Sequence, residues 1–491
     1  MPCWEPRRTE RFLPMQLTLY RTAMALARPL LLRKLRRRGA QEPLYLHAVH
    51  QRFAEYTPEE SQAAAAHAGE WVWLHAVSLG ETRAAAVLLQ ALREARPGMR
   101  LLLTNGTATG RQEGEKLLQS GDLQVWMPWD SRAATRRFVE TFRPRLGLLM
   151  ETEIWPEILA ACDAADIPVV LANARMSDKT LRQSLRFASL ARRIYGLLQV
   201  AYAQTAGDAG RLQQLGVPEI VVTGNLKFDA RPDPRQLALG HRLRSERDAA
   251  MSAAGQKPTP VLMLASSREG EEQLWVDALA ALPAEQRLAA QWLLVPRHPQ
   301  RFDEIAALLE QAGWKVRRRS AWGVTDGNPG APAGTEASQP SKALALPVSV
   351  GNDATPTVWL GDSMGEMVFY YALADLALMG GSFAPLGGQN LIEACACGCP
   401  VLLGPHTFNF AEASEQAIEA GAALRCEGMA EAVSKGLELV AGNVLPGQSM
   451  QRGQNEPALR AMREAAMDFS QRHQGAAQRI IQDLVQRGWL S

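Results

Sequence analysis

The sequence predicts an α/β protein with two parallel, doubly wound sheets. Two observations carry this prediction: short apolar runs recur along the chain, and a helical pattern separates each run from the next. The chain has 491 residues, of which 47% are hydrophobic and 21% are charged, so it is long enough for two sizeable cores. We therefore expect two domains of similar construction.

The predicted strands fall into two series with a polar, proline-containing linker between them. The first series covers residues 71–77, 101–104, 125–127, 146–150, 169–172 and 198–203. The second covers residues 261–265, 292–295, 357–360, 373–379 and 401–403. Ligands of such sheets bind beyond the carboxyl ends of the strands, so the residues that follow each strand are the candidates for a site.

These series give the domain boundaries. We expect a first domain over residues 40–225 and a second over residues 226–460, with a C-terminal helix over 461–491 that packs back towards the first domain. Residues 320–356 are rich in Gly, Pro, Ala, Thr and Ser, which is typical of a low-complexity surface loop.

The N-terminal segment, residues 1–39, predicts a helix that associates with a membrane. Residues 1–14 are Arg-rich and look unstructured, and Met15 is an alternative start. Residues 17–35 are apolar but are broken by Arg21 and Arg28, which is too interrupted for an ordinary spanning helix. A basic cluster at residues 33–38 follows, as suits an anionic membrane surface, and no signal-peptide cleavage site is present. A solvated basic helix packed on the protein is the alternative.

Charge and cysteine content exclude several classes of function. The net charge is +2, which gives no overall electrostatic case for binding nucleic acid. None of the six cysteines has the spacing of a zinc finger or a redox pair, so Cys395, Cys397 and Cys399 are expected to be buried packing residues. This usage fits a reducing cytosolic compartment.

The most informative stretch is the glycine-rich segment at residues 380–394. It follows an apolar strand, contains Gly387 and Gly388, and leads into an alanine-rich helix with Glu393 one turn in. Glycines let the backbone approach an anion, and a helix N-terminus offers free N–H groups, so the segment predicts a nucleotide site. The alternative is a tight turn between strand and helix with no ligand.

Carboxylates follow two strands of the first domain. Glu81 comes after the first strand across a glycine turn, and Glu151 and Glu153 follow the strand at 146–150. Each could be a catalytic group or could cap the following helix. The Gly80 hinge favours an outward-facing Glu81, whereas the two interpretations of Glu153 are balanced.

Cationic side chains also follow strands. Arg297 and His298 are bracketed by prolines after the strand at 292–295, an arrangement that suits contact with a phosphate. Lys227, at the end of the first series, could bind an anion or be a solvated lysine of the linker.

Eight motifs occur in the order found in one enzyme family: WLHAVSLGE, METEIWPEIL, LANARMSDKT, GNLKFD, ASSREGEE, LVPRHPQRF, LGDSMGEM and GGSFAPLGGQNLIEA. They lie between residues 73 and 394 and resemble the 3-deoxy-D-manno-octulosonic acid (Kdo) transferases of lipopolysaccharide biosynthesis, a resemblance that covers about residues 70–425. The resemblance implies a GT-B glycosyltransferase fold, with two Rossmann-like domains facing a cleft. It implies transfer of Kdo, with inversion, from CMP-Kdo to the lipid A precursor (lipid IVA) at the cytoplasmic face of the inner membrane.

The resemblance also implies roles for individual residues. Glu81 matches the general base for the acceptor hydroxyl, and Glu153 shapes the acceptor or sugar site. Donor contacts fall on Lys227, Ser266, Arg297, His298, Met364, Gly365, Glu366, Ser382, Gly387, Gly388, Gln389, Asn390 and Glu393. Among them, Arg297, Ser382 and the loop amides are expected near the phosphate, residues 364–366 near cytosine, and Asn390 and Glu393 at the ribose. Gln389 departs from the histidine more usual in the family.

No metal or cofactor is expected, because the sequence has no Asp-x-Asp motif to hold a phosphate-bridging cation. Two other readings remain open: a GT-B enzyme that uses a UDP-sugar, including a sugar-nucleotide epimerase, and a non-catalytic two-lobed binding protein on the membrane.

Overall fold

A computed structural model describes residues 15–322, 346–347, 356–441 and 455–490. The chain divides into two units, Met1–Ala230 with His473–Ser491, and Arg231–Arg472. The division expected from the sequence lies between residues 225 and 226. Residues 1–14 and most of the predicted loop at 320–356 lie outside the described residues.

The first unit is built on a seven-stranded parallel sheet. Its strands are β1 (Trp71–His75), β2 (Arg100–Asn105), β3 (Leu123–Trp126), β4 (Leu146–Met150), β5 (Val169–Ala174), β6 (Val200–Ala203) and β7 (Ile220–Val222). They lie in the order β3-β2-β1-β4-β5-β6-β7. Each neighbouring pair is parallel, and β1, β4 and β5 are buried along their whole length because helices cover both faces.

Helices on both faces complete the first unit. They are α1 (Met15–Gly39), α2 (Pro58–Ala66), α3 (Leu79–Ala95), α4 (Ala108–Glu115), α5 (Arg132–Phe142), α6 (Pro156–Ala164), α7 (Asp178–Leu185), α8 (Ala188–Tyr195) and α9 (Ala206–Gln214). Short 3-10 helices cover Pro43–Leu46, Val49–Phe53 and Leu226–Asp229. Ser78, Thr107, Ser131, Ser177 and Thr205 each cap a helix that follows a strand or its turn, so these hydroxyl residues fix where the helices begin.

The second unit repeats this construction. Its strands are β8 (Val261–Ser267), β9 (Gln291–Pro296), β10 (Lys315–Arg318), β11 (Thr357–Leu360), β12 (Leu376–Met379), β13 (Val401–Leu403) and β14 (Ala423–Arg425). They form a parallel sheet in the order β10-β11-β9-β8-β12-β13-β14. The prediction of two parallel, doubly wound sheets is therefore confirmed.

The helices of the second unit are α10 (Pro234–Ala253), α11 (Glu271–Ala280), α12 (Ala284–Arg287), α13 (Phe302–Gln311), α14 (Met367–Leu373), α15 (Leu391–Ala396), α16 (Ala411–Glu419), α17 (Met429–Ala441) and α18 (Asn455–Arg472). Short 3-10 helices cover Pro299–Arg301 and Arg319–Ala321. Met462 of α18 belongs to the core of this unit, so the tail rejoins the first unit later than the expected residue 461.

The last helix, α19 (Ala476–Gln486), packs in the first unit. Ile480, Ile481 and Leu484 enter the core formed by β1, β4 and α3. Asp229 accepts hydrogen bonds from the backbone N–H groups of Gly475 (2.5 Å) and Ala477 (2.6 Å). These bonds satisfy otherwise unpaired donors at the start of the helix and fix its N-terminus.

Helix α1 is attached to the first unit through polar side chains. The Tyr20 hydroxyl donates to Asp130 at 2.7 Å, and Arg21 pairs with the buried Glu157. Leu26 and Leu30, in contrast, are 72% and 66% exposed. No helix within the described ranges is both long enough and apolar enough to cross a membrane.

Candidate active sites in the two units

Each sheet has a switch point, where consecutive connections leave in opposite directions, and the candidate residues follow the strands that border it or lie close to it. In the first sheet the switch point falls between β1 and β4, and in the second it falls between β8 and β12. Crevices beyond the carboxyl ends of strands at such points are the usual ligand sites of open parallel sheets. The topology therefore places one candidate site in each unit.

Glu81 lies in the first turn of α3, directly after β1. Its Oε2 accepts a hydrogen bond from the backbone N–H of Val77 at 2.8 Å, and its Oε1 accepts one from the Ser78 hydroxyl at 3.1 Å. Burial raises the pKa of Glu81 to about 7, and the carboxylates of Glu153 and Glu151 add to this rise. A half-buried carboxylate with this pKa can accept a proton near neutral pH.

The turn after β4 brings two more carboxylates to the same place. Glu151 adopts a left-handed backbone conformation with φ of 55°, which is strained for a residue with a side chain. Glu153 accepts a hydrogen bond from the Trp155 indole at 2.9 Å. The pKa of Glu153 is raised by burial and by the charge of Glu151. Glu81, Glu151 and Glu153 thus interact electrostatically and form the carboxylate cluster of the first unit.

Lys227, for which the sequence left open a donor contact or a solvated lysine of the linker, lies beside this cluster. Its Nζ is 3.8 Å from Oε1 of Glu151. The buried Asn173, at the end of β5, accepts a hydrogen bond from the backbone N–H of Leu226 at 3.0 Å and so fixes the start of this 3-10 turn. The sequence pointed to Glu151 as a candidate carboxylate, but it gives no sign that Lys227 folds back onto it.

In the second unit, Ser266, Arg297 and His298 lie at the ends of the neighbouring strands β8 and β9. Ser266 has a left-handed φ of 53°, and its hydroxyl lies 3.8 Å from the sulfur of Met367. The backbone N–H of Arg297 donates to the carbonyl of Ser267 at 3.0 Å. Burial lowers the pKa of His298, and the charge of Arg268 lowers it further, so a neutral imidazole is favoured.

The turn after β11 carries the residues predicted to contact the base. Glu366 accepts hydrogen bonds from Arg319 at 2.8 Å and from the Ser363 hydroxyl at 2.5 Å. Met364 is exposed, and Gly365 has a positive φ of 80°. The contact of residues 364–366 with cytosine stays a prediction.

The glycine-rich segment after β12 differs from the predicted phosphate cradle. The backbone N–H groups of Gly381, Phe383 and Ala384 donate to the carboxylate of Glu271, at 2.6, 3.0 and 3.2 Å. In this structure these three amides are not available to a phosphate, contrary to the expectation. A carboxylate of the chain itself occupies the anion-binding position.

Ser382 is also engaged within the protein. Its side chain is fully buried; the hydroxyl donates to the carbonyl of Met379 at 2.5 Å and accepts from the N–H of Gly404 at 2.8 Å. A Cβ on Gly404 would lie 2.3 Å from the carbonyl oxygen of Ser382, which explains the glycine there. The expected contact of Ser382 with the donor phosphate therefore conflicts with this packing, because both hydrogen-bonding functions of its hydroxyl are in use.

The remaining predicted donor residues follow in the same loop and in α15. Gly387 and Gly388 have positive φ values of 90° and 78°, and a Cβ on Gly387 would lie 2.3 Å from the Asn409 amide nitrogen. Asn390 caps α15 by accepting from the N–H of Ile392 at 3.3 Å. Gln389, Asn390 and Glu393 are partly exposed, as binding residues must be. Their contacts with a donor remain predictions.

Among the residues that the structure describes, neither metal ligands nor reactive thiols stand out in the two units. Within the described ranges, no group of three or more His, Cys, Asp or Glu side chains has the arrangement of a metal site. Cys395 and Cys399 are buried and Cys397 is partly buried, and burial raises the pKa of Cys395 and Cys397 to about 12. These thiols are suited to packing rather than to nucleophilic chemistry.

Comparison of the sequence with known proteins identifies relatives. A family model described as "3-Deoxy-D-manno-octulosonic-acid transferase (kdotransferase)" matches residues 47–230. A 3-deoxy-D-manno-octulosonic acid transferase from Bordetella pertussis is 43% identical over 466 residues, which cover 93% of this chain and 95% of the relative. The similarity therefore extends over both units.

Solved structures support the fold. A UDP-GlcNAc 2-epimerase from Neisseria meningitidis aligns with a TM-score of 0.50 at 16% identity, covering 85% of this chain and all of that one. A glycosyltransferase from Rickettsia africae aligns with a TM-score of 0.50 at 11% identity, covering 85% of this chain and 99% of that one. At these identities the likeness concerns the fold alone, which is the GT-B-like α/β fold expected from the sequence.

Proposed function

Because the chain belongs to the 3-deoxy-D-manno-octulosonic acid (Kdo) transferase family, we propose that it moves Kdo from CMP-Kdo to lipid IVA, the lipid A precursor, in lipopolysaccharide biosynthesis. One observation carries the assignment of the base: Glu81 lies at the switch point of the first sheet with a pKa of about 7. A carboxylate with that pKa is ionised in a substantial fraction of molecules at neutral pH and still binds a proton readily.

Glu81 acts as the general base. Its carboxylate takes the proton of the acceptor hydroxyl while the hydroxyl oxygen attacks the anomeric carbon of Kdo. The bond from that carbon to the phosphate oxygen breaks, and CMP leaves with the bonding electrons. A single displacement of this kind inverts the configuration. The bonds from Val77 and Ser78 orient the carboxylate and oppose part of the rise in its pKa.

Glu151, Glu153 and Lys227 set the electrostatic environment of that base. The two carboxylates raise the pKa of Glu81, and Lys227 lies close enough to Glu151 to offset part of its charge. Glu153 is fixed by its bond to the Trp155 indole and shapes the acceptor or sugar site. The cluster thus makes Glu81 a stronger base towards the acceptor hydroxyl than an ordinary glutamate.

The donor binds at the switch point of the second sheet. Arg297 and His298 end one neighbouring strand, Ser266 ends the central one, and the glycine-rich segment follows the next. Three loop amides are bonded to Glu271, and the guanidinium of Arg297 neutralises the single phosphate of CMP through its planar fork of donors. Asn390 and Glu393 contact the ribose, and residues 364–366 lie beside the cytosine.

The acceptor reaches the enzyme from the cytoplasmic face of the inner membrane. Leu26, Leu30, Arg33, Lys34 and Arg37 are all exposed and follow one another at helical spacing, so they form one stripe along α1. Leucines suit the acyl-chain boundary and the basic side chains suit anionic headgroups. We call these five residues the α1 stripe.

A transfer assay tests the proposed function. The protein is incubated with lipid IVA and either CMP-Kdo, UDP-GlcNAc or CMP-sialic acid, and products are resolved by mass. The proposal expects product with CMP-Kdo alone, and the mass difference also counts the Kdo units added. Transfer from UDP-GlcNAc, or its epimerisation without acceptor, would instead favour the rival GT-B assignments.

A further inference from the structure

Two consecutive acidic residues, Glu271 and Glu272, open helix α11 and are almost completely buried. Their relative exposures are 0% and 1%. Burying two ionised carboxylates is costly unless both are fully hydrogen-bonded. Neither residue has a part in the proposed chemistry, so their partners indicate what they do.

Glu271 holds the glycine loop, which we define as residues 380–390. Its Oε2 accepts from the backbone N–H groups of Gly381 at 2.6 Å and Arg268 at 2.9 Å. Its Oε1 accepts from those of Phe383 at 3.0 Å and Ala384 at 3.2 Å. Three of these four donors belong to a loop that lies more than one hundred residues away in sequence. The carboxylate therefore fixes the backbone of that loop through contacts within the protein.

Glu272 holds the arginine loop, which we define as residues 297–301. The Nη1 and Nη2 atoms of Arg301 donate to its two oxygens at 2.9 and 3.3 Å. The hydroxyl of Ser267, at the end of β8, donates to its Oε1 at 2.7 Å. Arg301 lies four residues after Arg297, so this forked ion pair restrains the backbone that carries the phosphate-binding arginine.

We propose that Glu271 and Glu272 form a brace that sets the positions of the glycine loop and the arginine loop for the donor nucleotide. This inference rests on the proposed function, because it takes these two loops as the donor site. Both are positioning residues that do not touch the donor. Since α11 begins directly after β8, the two side chains reach from the central strand to the loops after both neighbouring strands.

The brace explains how the glycine loop can serve the donor site although three of its amides are bonded to Glu271. A loop fixed before the donor arrives loses little conformational entropy on binding, which strengthens binding without any new contact. Removing the brace should therefore weaken affinity for the donor more than it slows the chemical step. A role confined to stability would instead lower the folded fraction and leave the affinity of the folded molecules unchanged.

The test compares Glu271→Gln and Glu272→Gln with Asp277→Asn, a charge-removing change at an exposed position of the same helix. Glutamine at 271 turns an N–H group towards backbone N–H donors, so at least one loop contact is lost. We expect hydrogen exchange in the glycine loop of free Glu271→Gln to become faster. We expect its Kd for CMP and KM for CMP-Kdo to rise about tenfold or more, with kcat changed by less than about threefold. Asp277→Asn should match wild type in exchange rate, Kd, KM and kcat.

Glu272→Gln gives an independent arm if the first variant does not fold. It should speed exchange in residues 297–301 and raise the Kd for CMP, while exchange in the glycine loop stays slow. Unchanged exchange and an unchanged Kd in a folded variant of either residue would overturn the brace. If wild type itself does not bind CMP, the proposed donor fails, whereas the exchange measurements still decide whether the carboxylates hold the loops.

Discussion

The Nζ atom of Lys227 lies 3.8 Å from Oε1 of Glu151, which places one cation beside a cluster of three carboxylates. Lys227 offsets part of the negative charge of the cluster. The rest of that charge still acts on Glu81, since Glu151 contributes to its raised pKa. The basicity of Glu81 is therefore a property of the cluster as well as of its burial.

Replacement of Glu151 should lower the pKa of Glu81. In Glu151→Gln the ionised form of Glu81 is no longer repelled by the negative charge of Glu151. The acidic limb of the pH profile of kcat/KM should therefore move to lower pH. Glu140→Gln, at an exposed position of α5, is the matched control. An acidic limb that stays in place or moves to higher pH would contradict the assigned coupling.

Ionised Glu81 should lower the free energy of unfolding at alkaline pH. Its pKa is about 7 in the folded state against an ordinary 4.5, so between these values the folded state binds more protons than the unfolded state. Stability therefore falls as pH rises through this window, and the loss is complete above about pH 7. Glu81→Gln should be more stable than wild type by about 1–3 kcal/mol at pH 8, with a much smaller difference near pH 4.5.

Urea denaturation of both proteins at the two pH values measures this difference. A gain in stability that is the same at both pH values would indicate better packing by glutamine rather than relief of a charged group. No gain at pH 8 would contradict the raised pKa.

Arg297 should be required as an arginine, because only the guanidinium offers a planar fork to the phosphate. We expect Arg297→Lys to raise the Kd for CMP about tenfold and Arg297→Ala about a hundredfold, as measured by titration calorimetry. Arg460→Ala, at an exposed position of the same unit, should leave the Kd unchanged. Equal affinities of the alanine variant and wild type would remove Arg297 from the donor site.

The α1 stripe should bind anionic membranes. Leu26→Asp combined with Leu30→Asp should weaken binding to phosphatidylglycerol vesicles about a hundredfold, since two apolar side chains are lost and two negative charges are added. Both leucines are mostly exposed, so the fold should survive. Leu288→Asp, at an exposed position of the second unit, is the control. Undiminished vesicle binding by the double variant would refute this surface.

Most of the fold could be predicted because a parallel strand covered on both faces is a short, continuous apolar run. The three strands missed in the sequence, β7, β10 and β14, are edge strands of three or four residues. Each is partly exposed, and β10 reads Lys-Val-Arg-Arg, so no buried run marks it. Their pairing comes from the neighbouring strand rather than from their own composition.

The positions of the candidate residues in the fold could be predicted from the sequence, but their hydrogen-bond partners could not. Glu81, Glu153 and the glycine-rich segment follow strands that border the switch points, and Arg297 follows β9, the strand next to the central β8, as the alternation of strands and helices predicts. The sequence could not show that Glu271 fills the expected anion position, because that contact depends on the register of two loops brought together by the fold. Two adjacent acidic residues at the start of an otherwise apolar helix were the available signal.

The most direct test of the central claim is the rate of Kdo transfer by Glu81→Gln, measured across pH with CMP-Kdo and lipid IVA. Glutamine keeps an acceptor for Val77 N–H but cannot take a proton. The wild-type kcat/KM should rise with pH through about 7 and then level off, whereas the variant should lose about a hundredfold or more while still binding CMP. Near-normal turnover by the variant would make Glu81 a cap of α3 and contradict its assignment as the base.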